Sequence, residues 1–433
     1  MKQLSYAQQL AFVALMCASM MCSVAACQEA GDSPLVPEPL VPEPYDIPAG
    51  VTLLDTLRPP AGQIYVGPPI YHRETVYIVA ADDDGLQSGP MLLSLSNELE
   101  LISSTTLGEE FDFGLTYEMQ IDRLSERLIL TAAAGIQCYD ISGPAPVLQW
   151  SSSERTGGYP GLATLSPTGS WLYVALDGSR LGRFATHDGR MEILFDGQDE
   201  VCSRSSAGIT NVTVDAQNDD VFYFVRGGWC IEEGLAYGEL YRLDAAERGE
   251  DGMAFVDWVL PREVIGDSIT GVRTGSTPLI QYEDVLGVLA GSRILGIDRN
   301  TGNVLWRRHE IGGIPLDITF GGIVPNDNGL ALLADNGTGA VGVIDLATGE
   351  EQWARTDLRR NLARSQPYGE DFLYTSFGGA SIYRVSATLG DLKWRLRSPI
   401  RENEDVSVMP PAVIGRELYF SDVRQLYRLR MEN

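Results

Sequence analysis

Lysine is nearly missing from this chain: among 433 residues it occurs only at Lys2 and Lys393, and every other base is arginine. No Gly-Lys-Ser/Thr run is present, so a P-loop cradle for phosphates is excluded. Histidine is as scarce: His72, His187 and His309 stand far apart, and none has a metal-ligating neighbour at useful spacing. The sequence lacks the Gly-x-Ser-x-Gly elbow of acyl transfer. It also lacks an adjacent cysteine pair and a Cys-x-x-Cys-His heme attachment site. "ADDDG" (81–85) could offer calcium the carboxylates of Asp82, Asp83 and Asp84, but it departs from EF-hand spacing and reads as an acidic turn. Basic residues are in deficit, 32 against 59 acidic, for a net charge of −27. Long-range repulsion therefore excludes nucleic acid or an anionic membrane surface as the main partner.

Long apolar runs are missing too. "LAFVALMCASMM" (10–21) is too short for a comfortable bilayer span and, after Met1-Lys2, reads as the core of a signal peptide. Val24-Ala25-Ala26-Cys27 resembles the bacterial lipobox, in which the cysteine becomes lipid-modified and is then the first mature residue. The next stretch repeats LVPEP in tandem (35–39 and 40–44). Closely spaced prolines remove backbone donors and favour extended polyproline II, so this stretch buries no core and acts as a spacer. The expected organisation is a signal peptide over 1–26, a lipidated linker over 27–50 and a folded body over 51–433. With Gln28 rather than aspartate after the cysteine, the resemblance to lipoproteins implies the outer membrane of a bacterial envelope, facing the periplasm or the cell surface.

Helical periodicity is nearly absent beyond residue 50. Short β-branched and aromatic runs such as "TVYIVA", "WLYVAL", "VFYFV" and "ELYFSD", punctuated by Gly, Asn and Asp, predict strands. Trp150, Phe195, Trp258, Trp306, Trp353 and Trp394 close successive units at intervals of 45, 63, 48, 47 and 41 residues. Four short strands per unit at such a period predict an all-β propeller. Eight blades are expected, with seven as the rival count. The last unit is one strand short, while "VTLLDTL" (51–57) stands alone before the first; pairing them would close the ring and remove an exposed edge.

Two units share a spaced motif: Asp298-x-x-Thr301-Gly302-x-x-x-Trp306 and Asp345-x-x-Thr348-Gly349-x-x-x-Trp353. The aspartate can accept turn amides, the glycine can take a positive φ, and the indole leaves a fixed face of the last strand. A third copy keeps Gly390 and Trp394 but has Ser386 in the aspartate position. The motif resembles the tryptophan-docking motif of PQQ-repeat, quinoprotein-like propellers, closely over about 285–400 and only in architecture elsewhere. "LSPTGSWLYVAL" (165–176) looks instead like lactonase-like propeller repeats. The resemblance implies two classes of function. One is a non-catalytic lipoprotein scaffold, similar to BamB-type outer-membrane assembly lipoproteins, with an envelope protein as partner, a monomeric body and no cofactor. The alternative is a periplasmic quinoprotein-type oxidoreductase holding PQQ and calcium, or a lactonase-like hydrolase.

Other residues are candidates for contact or cross-linking. Trp229, beside two glycines, could anchor a partner. Arg359, Arg360 and Arg364 gather positive charge in one connection of an acidic protein and could meet an acidic ligand. Cys202 and Cys230 are placed to form a disulfide in an oxidising compartment. Cys138, inside "GIQCYDI", reads as a small buried apolar residue.

Overall fold

The computed structural model describes residues 47–432 apart from 83–88, 109–117, 157–162, 177–179, 198–207, 231–234, 262–278, 291–292, 317–322, 335–339, 358–361, 377–380, 398–410 and 423. The described residues contain no helix. Eight antiparallel four-stranded sheets stand as the blades of a propeller, at 63–106, 118–152, 163–196, 208–260, 280–308, 323–355 and 362–397 for blades 1 to 7. Blade 8 combines the last three strands of the chain with its first, in the order Ala412–Ile414, Glu417–Ser421, Leu426–Met431 and Val51–Leu57.

The closing pair matches the expectation from sequence. Val51 lies opposite Met431 and Leu57 opposite Leu426, and the Glu432 amide donates to the Gly50 carbonyl at 2.7 Å. Eight sheets settle the blade count against seven.

Strand burial explains why such short runs suffice. A second strand such as Trp171–Leu176 is buried along nearly its whole length, because both of its faces meet neighbouring blades. An outer strand such as Leu101–Thr106 alternates exposed and half-buried residues. Among the described residues the buried apolar side chains form eight clusters, one in each seam between blades. The core is thus eight separate layers rather than one centre. Each outer strand also carries one β-bulge against its neighbour, which sharpens its twist.

This strand order puts the turns between first and second, and between third and outer, strands at one end of the ring. The strand ends that lead from second to third strands, and from blade to blade, lie at the other end. Blade 4 is the longest: Asn218–Cys230 and Leu235–Arg248 pair out to Cys230 opposite Leu235.

Candidate functional site

The repeated motif builds a joint between blades. In blade 6 the chain turns sharply after Val341–Asp345: the Asp345 carboxylate accepts the Thr348 amide at 3.0 Å, and the Gly349 amide closes onto the Asp345 carbonyl at 2.7 Å. Gly349 takes φ 74°, and its bare face is covered by the indole of Trp306 from blade 5; a Cβ there would lie 2.6 Å from Trp306 Cδ2. The same indole donates from Nε1 to the Leu346 carbonyl at 2.9 Å.

The joint recurs along the ring. Trp353 lies on Gly390 and donates to the Ala387 carbonyl at 2.8 Å. Trp258 lies on Gly302 and donates to the Arg299 carbonyl at 3.2 Å. Each of these three indoles therefore docks on the glycine turn of the following blade, so one motif acts both as knob and as cradle.

Capping survives changes in residue type. Asp298 accepts the Thr301 and Asn300 amides, both at 2.9 Å; the Thr301 amide above all, against some desolvation, holds its carboxyl below the usual range. Ser386 does the same work with a hydroxyl, accepting the Leu389 amide at 3.2 Å.

Several participants carry no signal in the motif as read from sequence. Gly189, at φ 74°, cradles Trp150, whose Nε1 donates to the Thr186 carbonyl at 2.8 Å. Its turn has Ala185 where the aspartate stands elsewhere, and only the four-residue spacing to glycine could have flagged it. Arg308 and Arg355, two positions after an indole, donate to the carbonyls of the cradling Gly349 (3.0 Å) and Gly390 (2.8 Å). Gly296 faces Trp306 across the ladder; any side chain there would meet the ring.

Trp394 differs from the other indoles. Its cradle would be the last turn of blade 8, but that position is the junction of the two chain ends. The ring is 7% exposed, packed with Val51, Leu429, Met431 and Ile47, and its Nε1 finds no acceptor among the described residues.

Because the cradle demands both a left-handed backbone and an open face, it is sensitive to one methyl group. Gly349→Ala is expected to cost about 2–4 kcal/mol, from backbone strain plus overpacking against Trp306. Gly369→Ala, also at positive φ (57°) but with nothing within 4 Å of the added carbon, should cost only about 1 kcal/mol. Urea unfolding of the two variants checks the difference, which isolates the indole contact.

The seam between blades 3 and 4 has no docked indole. Phe195, six residues after the turn glycine Gly189 and opposite Leu181, packs at 5.0 Å from Phe224 and 5.2 Å from Tyr241. An ionic network takes over. Arg183, 7% exposed, pairs with Glu192 at 3.0 Å and with Asp220 of blade 4 at 2.6 Å, and stacks over Trp171 at 4.0 Å. Arg248 of blade 4 reaches back to Glu192 at 2.9 Å, and Tyr173 Oη donates to the Asp219 carbonyl at 2.6 Å.

Burial pushes the Glu192 carboxyl up, but Arg183, then Arg248 and Arg190, outweigh it and leave it below the usual value. A depressed carboxylate contributes stability that is full above its unfolded pKa and lost as pH falls through the folded one. Glu192→Gln should therefore lose less stability than the native chain between about pH 5 and pH 3, measured as urea midpoints across that range.

The chemistry-bearing candidates stay apart. Cys138 is buried, its Sγ 3.6 Å from the Thr186 carbonyl, and burial pushes its thiol up to about 12. His72 is buried at the end of its strand, and burial, then Arg73, lowers its pKa. Among the described residues no three metal-ligating side chains converge. Cys27, Cys202, Arg359 and Arg360 lie outside the described residues. The backbones of Trp229 and Cys230 lie in the long blade 4 hairpin and that of Arg364 in the first strand of blade 7; their side chains are outside the described set. The backbones of Trp229, Cys230 and Arg364 fall at the end of the ring where the strands lead from second to third and from blade to blade.

The fold and its joints define a class: eight-bladed β-propellers whose blades are locked by outer-strand indoles on glycine turns. Within it, the family described as outer membrane protein assembly factor BamB matches residues 148–422, more than half of the chain, and the chain belongs to that family. No curated protein matches the sequence. Solved structures share the fold. BamB from Moraxella catarrhalis superposes with a TM-score of 0.58 at 15% identity, over 88% of this chain and 100% of that one. Sqt1 from Saccharomyces cerevisiae gives 0.56 at 12% identity, over 90% and 98%. A quinohemoprotein alcohol dehydrogenase from Pseudomonas putida HK5 gives 0.60 at 10% identity, over 88% and 76%.

Proposed function

We propose that this protein is a lipid-anchored, non-catalytic scaffold of the bacterial cell envelope that binds protein partners in the assembly of outer-membrane proteins. The family match carries this reading. The use of the motif supports it, since every described docking indole serves a joint between blades. The oxidoreductase alternative draws only on fold-level likeness at 10% identity. In this reading Cys27 bears the lipid. The end of the ring that holds the backbones of Trp229 and Arg364 meets the partner, with Trp229, Arg359, Arg360 and Arg364 as the contact residues.

Cross-linking in the native envelope tests the scaffold and should recover one dominant protein partner; recovery of none counts against it. Cys27→Ala should move the body to the soluble fraction, and continued membrane association would refute the anchor. Stoichiometric binding of PQQ with calcium, together with dye reduction, would replace the scaffold by the enzyme.

A further inference from the structure

Among the described residues no further strand pairs with any of the eight outer strands, which leaves eight sheet edges on the circumference. An open edge offers unpaired amides and carbonyls to any extended chain unless something guards it, and charge is the usual guard. Six of the eight strands carry it: Val304–Arg308 ends in two arginines, Leu392–Arg397 has three bases, and Met191–Asp196 has two carboxylates. Glu351–Arg355, Ala254–Leu260 and Val51–Leu57 each contain at least one charge. Leu101–Thr106 of blade 1 and Val147–Ser152 of the adjacent blade 2 contain none. The same two strands expose Leu101 (60%), Ile102, Val147 (58%) and Leu148. Exposed apolar surface and missing guards thus coincide on neighbouring blades.

The blade 1 edge also has the regularity that strand addition needs. Its bulge lies at Ile102, and beyond it Ser103 to Thr106 run in unbroken register opposite Ser94 to Met91. The Leu107 amide donates inward to the Pro90 carbonyl at 2.8 Å. By the alternation of an antiparallel ladder, Thr105 then also faces inward, and the amides and carbonyls of Ser104 and Thr106 face the open side. The strand is preceded by exposed Glu98 and Glu100 and followed in sequence by Glu109 and Glu110. An antiparallel second copy would set one acidic flank against the other, whereas a chain with basic flanks would meet complementary charge.

We propose that the open edge of blade 1 takes up an extended strand from a partner protein, uncharged at its centre and basic at its flanks, pairing with Ser104 and Thr106. The proposal rests on the scaffold reading and names the kind of segment the scaffold holds. Main-chain bonds would supply affinity, and Leu101 with Ile102 an apolar seat for alternate side chains.

The test uses the whole purified protein and a labelled peptide with an alternating valine–threonine centre and arginines at both ends. Binding, read by fluorescence anisotropy, should weaken at least about tenfold in Ser104→Pro, which removes an outward amide and no ladder bond, and should persist in Ser104→Ala. If the proline variant does not fold, Ser104→Lys, which keeps every backbone group and adds an edge charge, decides the question. Failure of the native protein to bind, or equal binding by these variants, overturns the proposal. So does self-association abolished by Ser104→Lys, which would make a second copy the occupant. In the envelope, a photoreactive side chain at position 104 should capture the partner. Capture from position 229 but not from 104 would leave the scaffold standing and remove the edge; capture from neither would remove the scaffold.

Discussion

A chain lacking residues 51–57 is expected to lose cooperative unfolding altogether. Those residues are the outer strand of blade 8, paired along their length with Leu426–Met431. Without them that strand becomes an open edge, and Val51 leaves the apolar layer it shares with Trp394, Leu418, Phe420 and Leu429. The pairing that ties the two chain ends together is then lost, and the layers on either side of blade 8 lose Val51 and Leu57. The loss should exceed that of any single substitution, more than about 5 kcal/mol, with aggregation through the freed edge. Urea unfolding and size-exclusion chromatography check this. A synthetic peptide of residues 47–57 added in excess should restore the transition. A truncated chain that unfolds at the native midpoint would mean that the ring does not depend on its closing strand.

The second large effect is expected at the docked indoles. Trp353→Ala should destabilise by about 3–4 kcal/mol, from the lost ring and the cavity left over Gly390. Trp353→Phe should cost about 1 kcal/mol, chiefly the hydrogen bond to the Ala387 carbonyl. Trp394 provides the internal comparison. Its ring is at least as well packed but its Nε1 has no described acceptor, so Trp394→Ala should be severe while Trp394→Phe is close to neutral. Urea midpoints for the four variants separate packing from hydrogen bonding. Equal costs for the two phenylalanine variants would show that the carbonyl contact contributes nothing.

Much of this plan was legible in the chain because a propeller writes its structure locally. Asp345, Thr348, Gly349 and Trp353 occupy one hairpin, and Asx capping and a left-handed glycine need no distant partner. Spacing alone therefore revealed the units and the missing strand of the last one, and it narrowed their number to eight or seven, which the eight sheets decided. The partner of each indole was not legible, because Trp306 meets Gly349 from another blade, 43 positions away in sequence. The cradle at Gly189 escaped notice because Ala185 stands where the motif has its aspartate. The ionic seam escaped for a different reason. Arg183, Glu192, Asp220 and Arg248 are ordinary surface residue types, and only the juxtaposition of two blades turns them into one network.

The sequence by itself determined the all-β class, the repeat and the seam-forming motif, because hydrophobic alternation and turn chemistry act over a few residues. Tertiary structure decided what docks on what. It set which seams are held by indoles and which by charge, left Trp394 without a cradle where the chain ends meet, and put the unguarded edges on adjacent blades. The reason is geometric: a side chain's neighbours across a seam are set by how whole sheets stack, and no local pattern records that stacking.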